Sequence, residues 1–477
     1  MASAVLEGRG IACSTKGAVV AASNIAARAG TSVLRSGGNA ADAAVATAAA
    51  LCVVDPANCG IGGYGGFAVL HRQQAPPVQI AFNAAVPQYV RDERAARGGP
   101  GSNVTPPAVV AGLCALASKF GRLGARAVFA PAIDLAAGGF ALGQGLADAL
   151  AWAHGHHRGL NDAFRRMYLR NGAPLREGDI LLQPALAQTL EGIAEQGAAA
   201  LRGSPLTDSL MRTANATGAA LTIADFESLQ ATVAGAVVGR YGNCDVYASD
   251  PDQCGATILL SALRSLEGID LGINRRDRYV DSVGNALVDA WRQRNVKFSP
   301  LSRAASQTTH VCTADADGML VSMTFTHGPI WFGSGLLDDE SGVLLNCGMH
   351  ILARRNADGE IVAQPHLTPV IVRQGSTLYA LGSPGGRRIP AIVLQAIIDL
   401  VHYGVPIDDL FHAPRLSANA DGPFEAEAAL ANAMPGRRMR VIETGEYFGP
   451  AGAVAWNGQS VRGAADPRFV DACALAA

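Results

Sequence analysis

The sequence predicts an α/β protein in which layers of helices pack against β-sheets. Of the 477 residues, 49% are apolar, 16% are charged and 6% are aromatic, a balance of small aliphatic side chains that is typical of a packed core and excludes disorder for most of the chain. Helical patterns dominate residues 18–235, whereas short β-rich runs dominate from residue 236. The length is compatible with roughly two to four folding units or with one large α/β architecture.

The first elements are two alanine-rich helices, predicted at residues 18–36 and 39–54 and separated by the dipeptide Gly37-Gly38. A glycine-rich run at 60–66 then leads into a strand. In the dinucleotide-binding fingerprint the strand comes before the glycines, so this order does not predict phosphate binding. Amphipathic patterns between residues 108 and 235 predict a helical layer.

A β-hairpin is predicted around the dipeptide Asp317-Gly318, because alternating runs of strand-forming residues flank it. If these two residues form the centre of the turn, Thr309 lies opposite Thr326 and Thr308 lies opposite His327. Hydroxyl and imidazole side chains are therefore expected to cluster at the open end of this hairpin.

Charge and composition exclude several functions. Lys+Arg 38 against Asp+Glu 40 gives a net charge of −2, with no basic segment, so we expect no nucleic-acid partner. None of the lysines stands in a Walker-type motif, which excludes P-loop nucleotide chemistry. The nine cysteines are never spaced CxxC, and no carboxylate or cysteine joins His154, His156 and His157 at ligand spacing. We therefore expect no disulfide framework, no metal and no cofactor.

The N-terminal residues contain no charged segment followed by an apolar one, and the apolar stretches near them are interrupted by polar residues. We expect a cytoplasmic protein without a membrane partner.

Residues 307–310 (QTTH), which open the predicted hairpin, resemble the cleavage and nucleophile segment of the γ-glutamyltransferase (γ-glutamyl transpeptidase) family. The resemblance runs from about residue 16 to 471, and its other motifs follow in order: 37–44 (GGNAADAA), 60–67 (GIGGYGGF), 105–107 (TPP), 382–386 (GSPGG), 413–415 (APR) and 466–468 (DPR). It implies a four-layer αββα sandwich of the N-terminal-nucleophile hydrolase type. This would be one compact unit, made of a large fragment 1–307 and a small fragment 308–477.

The resemblance also implies roles for particular residues. The proenzyme would cut itself between Gln307 and Thr308, and Thr308 would be the nucleophile. Thr326 matches the second threonine, which hydrogen-bonds the nucleophile, and the backbone N–H groups of Gly385 and Gly386 would form the oxyanion hole. The freed α-amine, with an ordinary pKa of about 7.7–8, would be the base.

The pocket departs from the family pattern. Asn83 stands where the family has the arginine that holds the α-carboxylate, and Ile351 stands near the aspartate that binds the α-amine. Losing two charged partners costs roughly 3–6 kcal/mol, or about two to four decades in specificity constant, for a γ-glutamyl group. The family's asparagine after the second threonine is Gly328 here, and its paired serines are Pro365-His366. The candidate substrate contacts are Asn83, Gly328, Ser383, His366 and Arg387.

These features predict an autoprocessing amidohydrolase or acyltransferase that acts on a small-molecule amide or acyl substrate other than a γ-glutamyl compound. One alternative is a hydrolase of the same family that cleaves a C–C bond in natural-product biosynthesis. Another is a catalytically inactive homologue that binds a metabolite. The two cleaved fragments are expected to stay associated, and the sequence is also compatible with a homodimer.

Overall fold

The computed structural model describes residues 10–91, 98–250, 254–273, 277–294, 307–352, 354–355, 361–362, 365–420, 422–432, 434, 436, 439–443 and 448–477. Its strands are β1 Ile11–Ser14, β2 Gly17–Ala21, β3 Gly65–Arg72, β4 Ala75–Asn83, β5 Phe140–Ala141, β6 Leu169–Arg170, β7 Ala173–Pro174, β8 Ile180–Leu181, β9 Thr232–Gly235, β10 Val237–Tyr241, β11 Cys244–Ala248, β12 Thr309–Asp315, β13 Leu320–Thr326, β14 Arg354–Arg355, β15 Ile361–Val362, β16 Val370–Gln374, β17 Thr377–Gly382, β18 Leu416–Ser417, β19 Phe424–Glu427, β20 Met439–Ile442, β21 Gly452–Trp456, β22 Val461–Ala465 and β23 Cys473–Ala476.

The α-helices are α1 Asn24–Arg35, α2 Ala40–Val54, α3 Gln88–Arg91, α4 Val109–Phe120, α5 Ala125–Gly138, α6 Gln144–His156, α7 Asp162–Tyr168, α8 Pro184–Gln196, α9 Pro205–Asn215, α10 Ile223–Glu227, α11 Ala256–Leu266, α12 Asp277–Gln293, α13 Met349–Leu352, α14 Ile389–Val401 and α15 Ala428–Asn432. Short 3₁₀ turns occur at Pro100–Asn103, Gly197–Leu201, Gly386–Arg388 and Ile407–Asp409. Within the described residues, no helix combines the length and the apolar character that crossing a bilayer requires.

Two seven-stranded sheets form the centre of the molecule. Sheet I has the strand order β23-β2-β12-β13-β3-β4-β9, and sheet II has the order β1-β22-β21-β17-β16-β11-β10. Consecutive strands within both sheets pair antiparallel.

Three apolar clusters show that the layers stack as helix, sheet, sheet, helix. One lies between sheet I and helices that include α1, α2, α4 and α5. A second lies between sheet II and helices α11, α12 and α14. The third, which contains Val20, Cys312 and Ile371, lies between the two sheets. The predicted αββα sandwich is confirmed.

The first predicted helix begins too early. Residues 17–21 form the buried strand β2, and helix α1 starts only after Ser23, whose side chain accepts a hydrogen bond from the N–H group of Ala26 at 3.5 Å. Val19 packs towards the helices and Val20 towards sheet II, so both faces of β2 are apolar. A strand buried on both faces has no polar alternation, and its sequence resembles that of a buried helix.

The predicted register of the hairpin is wrong by one residue. Thr309 lies opposite Phe325 instead of Thr326, and Asp317-Gly318 is not the two-residue centre of the turn. Continued by one residue beyond the strand, the observed register places Thr308 opposite Thr326, instead of opposite His327 as predicted.

The shift has a local cause in the turn. The N–H group of Gly318 donates to the carbonyl of Asp315 at 3.3 Å, and the N–H group of Asp315 donates to the carbonyl of Met319 at 3.1 Å. Gly318 adopts a left-handed conformation with φ of 77°, which glycine reaches without strain. The connection is therefore a three-residue loop of residues 316–318.

The segment 37–44 has a structural function at the start of α2. Asn39 and Asp42 form a reciprocal capping box, and Asp42 also accepts a hydrogen bond from the N–H group of Arg122 at 2.8 Å. The N–H group of Ala40 donates to the carboxylate of Asp315 at 2.9 Å. This motif thereby fixes the helix layer to the closed end of the hairpin.

Candidate active site

Four strand ends form a row along one edge of sheet I. Thr308 immediately precedes β12, Thr326 ends β13, Gly65 begins β3 and Asn83 ends β4. Thr326 pairs with Gly65, and Gly65 pairs with Asn83. We call these four residues the strand-end row. At about 4.8 Å between neighbouring strands, it extends roughly 14 Å from Thr308 to Asn83.

The hydroxyl of Thr326 holds the peptide bond between Gln307 and Thr308. It donates a short hydrogen bond to the carbonyl oxygen of Gln307, and it accepts one from the N–H group of Gly328 at 2.9 Å. Gln307, Thr308 and Thr326 are all buried. Because the hydroxyl is itself oriented by the backbone, the carbonyl of Gln307 is fixed in a polarising hydrogen bond.

The loop after β17 lies at the same edge of sheet II. Ser322 donates to the carbonyl of Leu381 at 3.0 Å, which aligns β13 with β17. A Cβ atom at Gly382 would lie 2.3 Å from the His310 ring, so only glycine allows β17 to approach β12 this closely. The chain then leaves the sheet as loop 383–386, beside the strand-end row.

This loop contains two backbone donors, the N–H groups of Gly385 and Gly386. Gly385 and Gly386 have φ values of 143° and 55°, in the region that favours glycine. Within the described part of the chain, neither N–H group donates a hydrogen bond. Gly386 begins the turn that continues into α14, so these donors lie at the positive end of a helix dipole. The arrangement can bind an oxyanion.

A buried ion pair supports the loop from below. A Cβ atom at Gly449 would lie 2.6 Å from the carbonyl of Pro384, so the segment at Gly449 packs directly on the loop. Arg415 donates to the carbonyl of Gly449 at 3.1 Å and forms a buried salt bridge with Asp466. The APR and DPR motifs, which contain Arg415 and Asp466, therefore stabilise the position of loop 383–386.

Two buried histidines, His310 and His327, lie close in sequence to Thr308 and Thr326. Burial lowers the pKa of His310 to about 3 and that of His327 to about 4, so both rings are neutral near pH 7. His310 contacts the Thr324 hydroxyl at 2.8 Å and the Cys312 sulfur at 3.0 Å. Its contacts with strand residues and with Gly382 give His310 a packing role.

The structure brings most of the predicted site residues to this edge. Besides the strand-end row and the glycine loop, Gly328 has a φ of 124° and contacts Thr326 through its N–H group. Ser383 donates to the carbonyl of Pro384 at 2.6 Å, within the loop itself. The side-chain oxygen Oδ1 of Asn83 is buried without a hydrogen-bond partner.

Arg387 has a defined protein partner. It donates to Glu425 on the small sheet β18-β19-β20 at 3.0 Å, and Arg440 contacts the same carboxylate oxygen at 3.3 Å. A contact between Arg387 and substrate stays a prediction. His366 packs edge-on against Trp291, with 5.4 Å between ring centroids.

The sequence reasoning missed Arg294, which follows helix α12 and lies beside Pro365. The stretch 275–306 is polar and arginine-rich in sequence, but Asp277–Gln293 is a helix that contributes Tyr279, Val283, Leu287 and Trp291 to the core. The four-residue spacing of these apolar residues is the signal that could have located Arg294 near the end of a packed helix.

Two stacked sheets covered by helices on both outer faces are the architecture of the N-terminal-nucleophile hydrolases. In agreement, the structure of cephalosporin acylase from Bacillus halodurans superposes with a TM-score of 0.84 over 100% of this chain and 99% of that chain, at 21% identity.

The chain belongs to the gamma-glutamyltranspeptidase family, whose model matches residues 26–298 and 290–476. It is 27% identical to the glutathione hydrolase proenzyme of Escherichia coli (strain K12), over 84% of this chain and 80% of the relative. It is 28% identical to the acylase ACY 1 proenzyme of Pseudomonas sp. (strain V22), over 94% and 91% respectively. The family resemblance predicted from the motifs is confirmed.

The salt bridge beneath the glycine loop gives a first prediction. Asp466→Asn removes the buried carboxylate that forms salt bridges with Arg415 and Arg468, so the free energy of unfolding should fall by about 3–5 kcal/mol. Urea unfolding followed by tryptophan fluorescence measures this change. The control is Asp339→Asn, which breaks the exposed pair between Arg166 and Asp339 and should cost no more than about 1 kcal/mol. Equal losses in the two variants would show that the buried pair does not support the fold.

Proposed function

We propose that this protein is an autoprocessing threonine amidohydrolase that cuts itself between Gln307 and Thr308 and then acts on small-molecule amides other than γ-glutamyl compounds. The hydrogen bond from the Thr326 hydroxyl to the Gln307 carbonyl is the observation that carries the proposal. This hydrogen bond polarises the Gln307 carbonyl. Thr308 must attack that carbonyl for the chain to be cut and for Thr308 to become an N-terminal residue.

Self-cleavage uses the groups at this peptide bond. The Thr308 hydroxyl oxygen attacks the Gln307 carbonyl carbon, and Thr326 donates to the oxygen that gains negative charge. The C–N bond breaks as the amine takes up the hydroxyl proton, which leaves an ester between the two fragments. Water hydrolyses the ester, releasing the Gln307 carboxylate and the Thr308 α-amine.

Turnover repeats this chemistry on an external amide. The α-amine of Thr308 takes the hydroxyl proton while the oxygen attacks the substrate carbonyl. The N–H groups of Gly385 and Gly386 bind the oxyanion. The amide nitrogen leaves with a proton, and water resolves the acyl-enzyme. His310 and His327 take no part as proton donors, because burial keeps them neutral.

The pocket supports a substrate other than a γ-glutamyl group. Asn83, with a neutral side chain, ends β4 where an arginine would hold an α-carboxylate. Ile351, near the position for a carboxylate that binds an α-amine, is buried and apolar. The similarity to an acylase proenzyme is consistent with this choice.

The sheet order supports lasting association of the proposed fragments 1–307 and 308–477. In sheet I, β12 and β13 of the small fragment lie between β2 and β3 of the large one. In sheet II, β1 and β11 of the large fragment flank the small fragment's strands β22 to β16. Cutting the chain outside β12 breaks none of these strand pairings.

Intact-mass analysis tests the cleavage. Wild type should give two fragments, ending at Gln307 and beginning at Thr308, whose masses sum to the chain plus one water, whereas Thr308→Ala should stay whole. The matched control is Thr309→Val, since the Thr309 hydroxyl is buried without a partner and the side chains of neighbouring strand residues point to opposite faces. This control should be cut like wild type. An uncut wild type would instead favour the inactive binding homologue.

The rate of self-cleavage tests the role of Thr326. Thr326→Ala removes the donor to the Gln307 carbonyl, so the precursor should disappear about 100-fold more slowly. Thr326→Ser keeps a hydroxyl and should stay within about tenfold of wild type. The rates are followed by mass spectrometry, with circular dichroism as the check on folding. A Thr326→Ala precursor that is cut at the wild-type rate would refute the proposed polarisation.

The pH profile of turnover tests the base. The α-amine accepts a proton only in its neutral form, so kcat/KM should rise with pH through an apparent pKa near 7.7–8. The buried histidines are already neutral in this range and should add no further ionisation. The exposed control His154→Gln should leave the curve unchanged. A flat profile between about pH 6 and 10 would contradict the amine as base.

A further inference from the structure

Arg294 lies directly after helix α12, and the two terminal nitrogens of its guanidinium differ in their hydrogen bonding. Its Nη2 atom donates to the carbonyl oxygen of Pro365 at 3.2 Å, whereas its Nη1 atom is buried and has no hydrogen-bond partner among the described residues. No carboxylate among the described residues forms an ion pair with it. A guanidinium stays protonated in proteins, so this end of the side chain is a buried positive charge without a counter-charge.

The neighbouring thiol does not supply that counter-charge. Cys254 interacts electrostatically with Arg294, but burial raises the pKa of the Cys254 thiol to about 12. The thiol is therefore neutral at physiological pH. Burial also lowers the pKa of Arg294, as expected for a cation that is withdrawn from water and left without an anion.

Arg294 faces the segment that leads into the edge of sheet II at the candidate site. Strand β16 begins at Val370, which pairs with Leu381 at the end of β17. The residues from Pro365 to Pro369 therefore lie at the same edge as the glycine loop that follows Gly382. On the other side, the N–H group of Gly255 donates to the carbonyl of Leu367 at 3.1 Å, which fixes this segment to the start of α11.

The guanidinium is held in place by helix packing. Trp291 lies one helical turn before Arg294 on α12, is fully buried and packs edge-on against His366. The tryptophan contact and the hydrogen bond to Pro365 fix the end of α12 against the 365–369 segment. An arginine positioned in this way is prepared to bind an anion with its remaining donor.

We propose that Arg294 binds an anionic group, most simply a carboxylate, on the acyl part of the substrate. This inference rests on the proposed function and specifies its substrate class. The preferred amide carries a negative charge remote from the scissile carbonyl and lacks the α-amine of a glutamyl group, since buried Ile351 offers that amine no charged partner. Arg294 thus supplies the positive charge that is missing at Asn83.

Paired chromogenic substrates test this role. Succinyl, glutaryl, adipoyl and pimeloyl p-nitroanilides are each compared with the corresponding primary amide, which has the same length but no charge. Wild type should hydrolyse at least one carboxylate with a kcat/KM about tenfold or more above that of its amide partner. Arg294→Gln should abolish this preference and leave the rates for the uncharged partners within about twofold.

The same helix offers a matched control. Arg292 is exposed and contacts Asp289 on its own helix, so Arg292→Gln should retain the wild-type preference. Arg294→Lys, which keeps the charge but loses the planar fork, should give an intermediate preference. Self-cleavage of every variant, read by intact mass, separates a binding defect from a folding defect.

Two results would overturn the role of Arg294: equal kcat/KM values for all pairs in wild type, or an equal loss for both members of a pair in Arg294→Gln. Failure of the proposed function has a different signature, namely an uncut wild type that hydrolyses no anilide. In that event, calorimetry measures the affinity of wild type and of Arg294→Gln for the same probes. Tighter binding of the carboxylates by wild type that is lost in Arg294→Gln supports the anion site. Equal affinities for the carboxylates and their amide partners refute it.

Discussion

The antiparallel pairing of β12 with β13 is the constraint on which the candidate site depends. Its register places Thr308 opposite Thr326, so that the Thr326 hydroxyl meets the carbonyl of Gln307. A shift by one residue would turn every side chain of the strand to the other face. The hydroxyl would then point into the helix layer, where Phe325 now packs. Buried residues on both faces of these two strands make such a shift costly.

The second sheet converts this edge into a site that can be preorganised for catalysis. Glycine at 382 allows β17 to pack against His310. The loop that follows has two backbone N–H groups at the start of a helix that donate to no residue the structure describes. The buried pair of Arg415 and Asp466 fixes the segment beneath that loop. Donors that are oriented before substrate arrives need no reorganisation when negative charge develops, which is the usual source of oxyanion stabilisation. Interactions far from Thr308 therefore determine the geometry of the candidate site.

The sequence was informative where structure depends on local signals. The Gly37-Gly38 pair locates the boundary between the first two helices, and the motifs around Thr308 and Gly385 indicate the family. The register of the hairpin was missed because an Asp-Gly pair fits both a two-residue and a three-residue loop. The structure shows that Gly318 is left-handed and Asp317 is not, which is the pattern of the three-residue loop. Strand β2 was assigned to a helix because burial on both faces removes the alternation that identifies strands. Arg294 could not be assigned a role, since its place beside Pro365 results from long-range packing of α12.

The polar groups left without partners at this edge describe the substrate that the site can hold. Folded proteins satisfy nearly all their buried polar groups, so an exception at a candidate site is a position where a ligand can complete the bonding. The Asn83 side-chain oxygen is an acceptor without a donor, and Nη1 of Arg294 is a charged donor without an acceptor. Asn83 ends a strand of sheet I, whereas Arg294 follows helix α12, which packs on sheet II, and the two groups are of opposite kind. A γ-glutamyl group offers a carboxylate and an ammonium on one carbon, which requires an anion and a cation side by side. Asn83 and Ile351 carry no charge, and the proposed cation is Arg294 beside Pro365. On that proposal, an acyl group whose carboxylate lies apart from its hydrogen-bond donors fits the two positions, and an amino acid head group does not.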